Sequence, residues 1–420
     1  MIIQFSVENF RSIKDRIFLN MNATRFKEHS DNISLIENHK LNLLKSACIY
    51  GPNASGKSNL VQAMSFFSQF ILNSARTQIG DGISGVSNYK FSTDTEKTPS
   101  TFEMDFLIEG VIYRYGFEVD ATRIHKEWLF AVINKKEVKL FERREKEIET
   151  TSHFKEGKDV KDKTRENALF LSVVAQFNGE IAAKIIKWFR RFVVLSGDIR
   201  DKRSVDKVMR ENLKASLLLF LKAADLGIDD IEVKERDFTP DDLPKEFPEE
   251  IRKLIRSSPE KIVEKYAKHK KYNSENAFVS FESLPFDSES KGTGKIFNMF
   301  GYLYDALADG MPIVIDELES SLHPMIVEWI LNLFNSPGNK NGAQLVFTTH
   351  DVNVLDKKYF RRDQIWFIEK DKYGTSRLFS LSEYGSKVRN DASFAKDYMF
   401  GKYGAIPVIK KFRISQQKKI

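Results

Sequence analysis

The chain has 420 residues, of which 41% are hydrophobic, 12% aromatic and 30% charged. That balance supports a sizeable globular core and excludes a disordered or collagen-like chain. The net charge of +7 invites a nucleic-acid reading, but the last eleven residues, KKFRISQQKKI, hold five basic residues and no acid. The rest is close to neutral, and the tail reads as a solvated terminus before it reads as a nucleic-acid arm. One cysteine, Cys48, excludes an intrachain disulfide framework and a cysteine-based zinc site, and the seven histidines are scattered. No window approaches the ~18 apolar residues of a membrane helix. The opening MIIQFSVENFRSIKD lacks a basic leader before a long apolar run, so a cytoplasmic protein with no membrane association is expected.

In chain order, IIQFSVENF alternates apolar Ile3, Phe5 and Val7 with polar residues, the period of a strand. Leu43 to Tyr50 reads as a short buried strand ending in a glycine turn. The following NLVQAMSFFSQFIL sets Leu60, Met64, Phe67 and Ile71 at helical spacing. Two alternating runs around Glu109-Gly110, from Thr101 to Val119, predict a hairpin. The charged stretch 133–166 reads as a hairpin leading into an exposed loop, and Leu213 to Ala224 as a helix. Residues 237–275, punctuated by Pro240, Pro244, Pro248 and Pro259, read as a small helical insertion too broken for a coiled-coil arm. FVSFESL is then a strand, KIFNMFGYLYDAL a helix, and MPIVIDEL, AQLVFTTH and IWFIEK strands. Continuous apolar strands alternating with helices indicate a parallel sheet covered by helices.

The strongest chemical signal is GPNASGKS, running Gly51, Pro52, Asn53, Ala54, Ser55, Gly56, Lys57 and Ser58. It fits G-x-x-x-x-G-K-[ST] in full, after a strand and at the start of a helix. Its glycines let backbone N–H groups wrap a phosphate, Lys57 supplies a point charge and Ser58 a magnesium ligand. The other reading is a chance glycine turn. Such a loop needs an acid at the end of a buried strand, and Ile313-Val314-Ile315-Asp316-Glu317 provides it. Asp316 is expected in the shell of Mg²⁺, and Glu317 at the attacking water. Well over half the chain separates Lys57 from Asp316, so something is inserted between the two halves of the site.

Upstream, Glu289-Ser290-Lys291-Gly292-Thr293 places a hydroxyl and a glycine at a helix start, the chemistry of a phosphate-binding N-terminus. Downstream, Ser320-Ser321-Leu322-His323-Pro324 forms a turn, and LVFTT delivers His350 to a strand end, where it can donate to a γ-phosphate.

This order of motifs resembles the ABC-type ATPase heads of the RecF, Rad50 and SMC group. The resemblance makes Gly51–Ser58 Walker A, Ser290–Thr293 the signature motif with Ser290, Gly292 and Thr293 on nucleotide, Ile313–Glu317 Walker B, Ser320–Pro324 the D-loop and His350 the switch histidine. Asn9-Phe10-Arg11-Ser12 resembles the amino-terminal NFRS segment of those heads, which implies Arg11 near the nucleotide. DELESSLHP, FTTHD and DYMFGKYGAIP make the chain similar to compact bacterial AAA-family ATPases of phage-defence and abortive-infection modules, the RloA/AbiLi-like type. The signature departs from an LSGGQ-like pattern, with Lys291 and one glycine fewer. Gln176 is the candidate for the Q-loop glutamine, an ordinary helix residue being the other reading.

The expected fold is α/β: an ABC-type P-loop ATPase with a parallel-core sheet, a flanking antiparallel β subdomain and an inserted helical lobe. The expected parts are 1–180 with Walker A, 181–275 as helical lobe and insertion, and 276–420 with the signature, Walker B, D-loop and switch histidine. The resemblance implies a homodimer or higher oligomer of heads facing head to tail, ATP and Mg²⁺ as cofactors, and the signature acting on the partner's nucleotide. The expected role is the ATP-hydrolysing sensor of a defence system that controls a separate nuclease or toxin effector. A RecF/SMC-like DNA clamp, making weak nucleic-acid contact through the basic tail, is the alternative. The remainder after His350 is shorter than the ~100 residues of an independent domain. Its Asp351, Asp356, Asp363 and Asp371 are spread out and read as surface loops.

Overall fold

The computed structural model describes residues 1–196, 203–209, 213–239, 242–244, 248, 261–388 and 392–407. The basic tail lies outside them. The strands are β1 (Ile2–Glu8), β2 (Ile17–Asn20), β3 (Ile33–Ile36), β4 (Leu41–Leu44), β5 (Ser46–Tyr50), β6 (Ser100–Ile108), β7 (Val111–Val119), β8 (Ile124–Ile133) and β9 (Lys136–Arg144). They continue with β10 (Glu147–Thr150), β11 (Val193–Leu195), β12 (Asp230–Asp237), β13 (Lys261–Tyr272), β14 (Phe278–Pro285), β15 (Pro312–Ile315), β16 (Gln344–Thr349), β17 (Ile365–Lys370) and β18 (Ser376–Ser380). The helices are α1 (Lys57–Asn73), α2 (Phe170–Gln176), α3 (Glu180–Arg191), α4 (Arg203–Met209), α5 (Lys214–Ala223), α6 (Lys291–Asp309), α7 (Pro324–Asn335) and α8 (Phe394–Met399).

Two compact units result: Met1–Gly197 with Ala306–Ser320 and Val327–Ile420, and Asp198–Asp305 with Ser321–Ile326. The first unit holds two large sheets. One is antiparallel, in the order β10-β9-β8-β7-β6-β1-β2. In β6 the alternation of the sequence becomes alternation of burial, strictly buried then half-buried along all nine residues. The expected hairpin turn is there, with Glu109 and Gly110 both at positive φ, as a two-residue turn requires to match strand twist.

The other sheet runs β11-β15-β16-β5-β17-β18, parallel throughout except for β18. β5, β15 and β16 are buried at every residue, and burial on both faces accounts for the apolar runs Ile313–Ile315 and Leu345–Phe347. The stretch expected as one strand from Leu43 is two, β4 and β5, broken at Lys45, whose ammonium turns to the Ser336 carbonyl.

Helix α1 packs its apolar stripe on the antiparallel sheet. Phe67 stacks on Phe117 at 5.3 Å and meets Phe5 at 5.8 Å and Phe189 at 5.6 Å, pairs worth about 0.5–1.5 kcal/mol each beyond their buried area. The loop that opens α1 is thus anchored from behind by a rigid aromatic layer. Tyr398 and Tyr403 are buried on Phe367, while Phe400 is exposed. Asp363 is not on a surface loop: it is buried and bonded bidentately to buried Arg361, at 2.9 and 2.8 Å. The pair fastens the segment at Thr24, whose N–H and hydroxyl both donate to Asp363.

The second unit corrects the last part of the sequence reading of 237–275, of which 240–241, 245–247 and 249–260 lie outside the described residues. Lys261–Tyr272 is a strand, β13, the centre of the antiparallel sheet β12-β13-β14. Its charges mimic a solvated helix, but pairing on both sides and the β-forming Ile262, Val263 and Tyr266 decide the outcome. The inserted lobe therefore carries a small sheet beside its helices.

Candidate functional site

The parallel order β15-β16-β5 brings three strand ends to one edge of the sheet, where ligands of open α/β sheets bind. From β5 comes the loop Gly51–Gly56, from β15 the pair Asp316-Glu317, and from β16 His350. Together Asn53, Ala54, Ser55, Gly56, Lys57, Ser58, Asn59, Glu317, His350 and Lys370 line a cleft of about 400 Å³.

Gly56 takes φ +112, a conformation closed to most side chains, and a Cβ there would lie 2.2 Å from Ser376 Oγ. The helix it opens has no side-chain cap, so the first-turn N–H groups of α1 are left for a ligand anion. Lys57 is buried, with its ammonium donating to the Gly51 and Pro52 carbonyls at 2.8 and 3.2 Å and lying 3.4 Å from His350 Nδ1. Burial lowers its pKa to about 8, against the pull of Asp316, Glu317 and Glu319. A cation folded on its own loop carbonyls is a charge held ready for a phosphate.

The acidic turn is fixed by Thr348 on the neighbouring strand. Its hydroxyl donates to Asp316 Oδ1 at 2.6 Å and accepts from the Glu317 N–H at 2.8 Å. Glu317 has φ +50, and its carboxylate sits 3.9 Å from His350 Nε2. The His350 N–H donates to Glu319 at 2.6 Å. The loop's other wall is a run of hydroxyls. Ser376 Oγ donates to the Ser55 carbonyl at 2.7 Å and lies 2.8 Å from Ser12 Oγ, which accepts from Asn59 Nδ2 at 2.6 Å.

The NFRS segment is accounted for almost residue by residue. Asn9 is buried and ties down the stretch from Tyr89 to Thr98, Phe10 packs on Phe66 and Phe102, and Ser12 reaches the loop. Arg11 itself is exposed, with its guanidinium over the Phe10 ring, and is not among the residues lining the cleft. Gln176 ends α2 and lines a different cleft, with Arg76 and Arg190. Thr348, Glu319, Ser376, Asn59 and Lys370 were not expected from sequence.

In the second unit Ser290 caps α6, its Oγ accepting from the Thr293 N–H at 3.0 Å and lying 2.9 Å from the Thr293 hydroxyl. Gly292 lies so close to the Ser321 carbonyl that a Cβ would stand 2.6 Å from it. The helix thus opens on Ser290, Lys291, Gly292 and Thr293, with the hydroxyls of the first and last joined across its first turn.

The residues present fit a nucleoside triphosphate: an uncapped helix N-terminus, cations at Lys57 and Lys370, and the Ser58 hydroxyl with the Asp316 carboxylate, held by Thr348, for a divalent ion. Among the described residues no group of three or more His, Cys, Asp and Glu is placed to hold a metal by itself. None of the described helices is long and apolar enough to cross a membrane.

A family model described as "AAA domain, putative AbiEii toxin, Type IV TA system" matches residues 46–356. No curated protein matches. Among solved structures the chain is similar to an SMC head bound to the C-winged helix domain of ScpA, with 15% identity, 92% of this chain and 99% of that one covered, and a TM-score of 0.45. It is also similar to the SMC head domain from Thermotoga maritima (13% identity, 90% and 98% covered, TM-score 0.40). A third is the recombination mediator RecF in its ATPrS structure (13% identity, 90% and 98% covered, TM-score 0.36). Matched across well over half its length, the chain belongs to that AAA-domain family.

Proposed function

We propose that the chain binds and hydrolyses ATP at this cleft and works in the cytoplasm as the sensor of a bacterial antiphage, abortive-infection-type system, switching a separately encoded nuclease or toxin effector. The observation that carries the ATPase reading is the meeting of Lys57, Asp316-Glu317 and His350 at one sheet edge, around an uncapped helix N-terminus. The defence role is supported by the family's description as a toxin–antitoxin component. In this reading the parts divide as 1–180, 181–275 and 276–420.

Lys57 leaves the loop carbonyls and pairs with the phosphate tail, which the N–H groups from Asn53 to Ser58 surround. Ser58 and Asp316 would hold Mg²⁺, which when bound would supply positive charge to the phosphate tail. Glu317, set by Thr348, orients the attacking water. His350, its backbone fixed by Glu319, donates to the γ-phosphate. Ser290, Gly292 and Thr293 close on a nucleotide bound by a second copy, so that ATP joins two heads and hydrolysis releases them.

Lys57→Ala is expected to abolish ATP binding, whereas Glu317→Gln binds normally and hydrolyses slowly. Loss of a water-orienting group costs roughly 2.7–4 kcal/mol of barrier, by analogy with an oxyanion-hole donor. Equal ATP affinity in wild type and Lys57→Ala, measured by calorimetry, removes the phosphate assignment.

A further inference from the structure

Strand β14 is exposed at all eight residues, and among the described residues it pairs only with β13, so its outer edge carries free backbone groups. Edge strands are ordinarily blunted by lysine, proline or charge. This one has only Glu282 and its last residue, Pro285, of that kind, and otherwise presents Phe278 at 52%, Val279 at 59%, Phe281 at 52% and Leu284 at 41% exposure. A register shift at Val279 puts Phe278 opposite Tyr272 and Phe281 opposite Lys270. Both rings therefore lie on one face, with centroids 5.2 Å apart.

What this edge accepts follows from the charges around it. Lys268 is paired with Asp230 and Glu232, Lys270 with Asp229, Lys271 with Glu282 and His269 with Glu289. With those cations neutralised within the sheet, the aromatic face is a poor match for a phosphate backbone, which binds through unpaired cations. It is a good match for another copy of itself. We propose that β14 is a self-association edge, two copies pairing antiparallel about a two-fold axis at Phe281 to join their three-stranded sheets. In that register Ser280 faces Glu282 of the other copy and Phe281 faces its own equivalent, so no like charges meet. A register centred on Glu282 would set two carboxylates opposite each other. The bulge at Val279 and the missing N–H of Pro285 bound the ladder, which fixes it as short.

The test uses the full chain carrying Lys57→Ala, without nucleotide, so that failure of the ATP reading and failure of this one are distinguishable. Sedimentation velocity over a range of concentrations should show reversible dimers. Phe281→Arg, which sets two cations opposite each other, should weaken the dimer about tenfold or more with an unchanged circular dichroism spectrum. Ser280→Lys should tighten it, because the new ammonium faces Glu282 of the other copy. A chain that stays monomeric at every concentration overturns the proposal, as does a dimer indifferent to Phe281→Arg. Slow hydrogen exchange of β14 in a monomer, which means cover by the chain itself, overturns it equally.

Discussion

Asn59, Ser12 and Ser376 form a chain of donors with only one possible direction. Ser376 spends its single proton on the Ser55 carbonyl, so at the contact between the two serines Ser12 is the donor, and Ser12 in turn accepts from Asn59. Every member is at least half-buried, so each bond lost leaves a polar atom unsatisfied. Ser376→Ala is expected to raise the KM for ATP about 5–30-fold, the equivalent of ~1–2 kcal/mol, with a smaller effect on kcat than Glu317→Gln. A lowered Tm with KM unchanged would make Ser376 a brace for β18 alone. The loop, the acidic pair and His350 were legible in the sequence because phosphate chemistry fixes residue types at fixed spacing. Ser376, Thr348 and Glu319 were not, because serine, threonine and glutamate are everywhere and only strand order brings these three to the site. Arg11 rested on resemblance alone, and here the side chain that reaches the loop is that of Ser12.

The two sheets of the first unit differ in how plainly their sequences announce them. β6 alternates cleanly and β15 is continuously apolar, so period and turn residues sufficed. β13 carries charge on both faces, and no local signal separates it from a solvated helix until its two neighbours are in place. The antiparallel sheet also buries charge. Glu127 accepts from the Phe170 and Leu171 N–H groups and the Tyr115 hydroxyl, with Arg143 3.8 Å away, capping α2 from a strand. Asp105 on β6 is less well served: its Oδ1 has no partner, and burial, then Glu103, push its pKa up to about 6. Between the unfolded value of ~3.9 and 6 the native state holds more protons than the unfolded chain, so stability falls as pH rises through that window and stays lowered above it. Asp105→Asn should therefore raise stability by about 1–3 kcal/mol at neutral pH and by little near pH 4. Melting curves of the two proteins across that range check it, and a gain independent of pH would mean that repacking, not titration, is responsible.

At the scale of the molecule, the groups expected on one nucleotide are divided between the two units: Lys57, Asp316, Glu317 and His350 in one, Ser290, Gly292 and Thr293 in the other. In the proposed reading the second set serves another copy. Substituting Ser290 by arginine tests this only crudely, because the same side chain caps α6 and its loss alone costs about 1 kcal/mol. Ser290→Asp keeps the cap, since aspartate is as good an N-cap as serine, and sets a carboxylate where a phosphate is expected. That variant should melt like the wild type and yet lose ATP-driven association and hydrolysis. Lys57→Ala should be equally inactive for the opposite reason, an intact signature with no charge to hold the phosphate. Mixed in equal amounts, the two inactive chains form a heterodimer in which one site combines a good loop with a good signature and the other combines two defects. ATPase activity should then reappear at about one site per heterodimer, rising with the statistical fraction of mixed pairs. If the mixture stays silent although both chains are folded and labelled subunits are seen to exchange, the signature does not act across copies, and each head must complete its site in some other way.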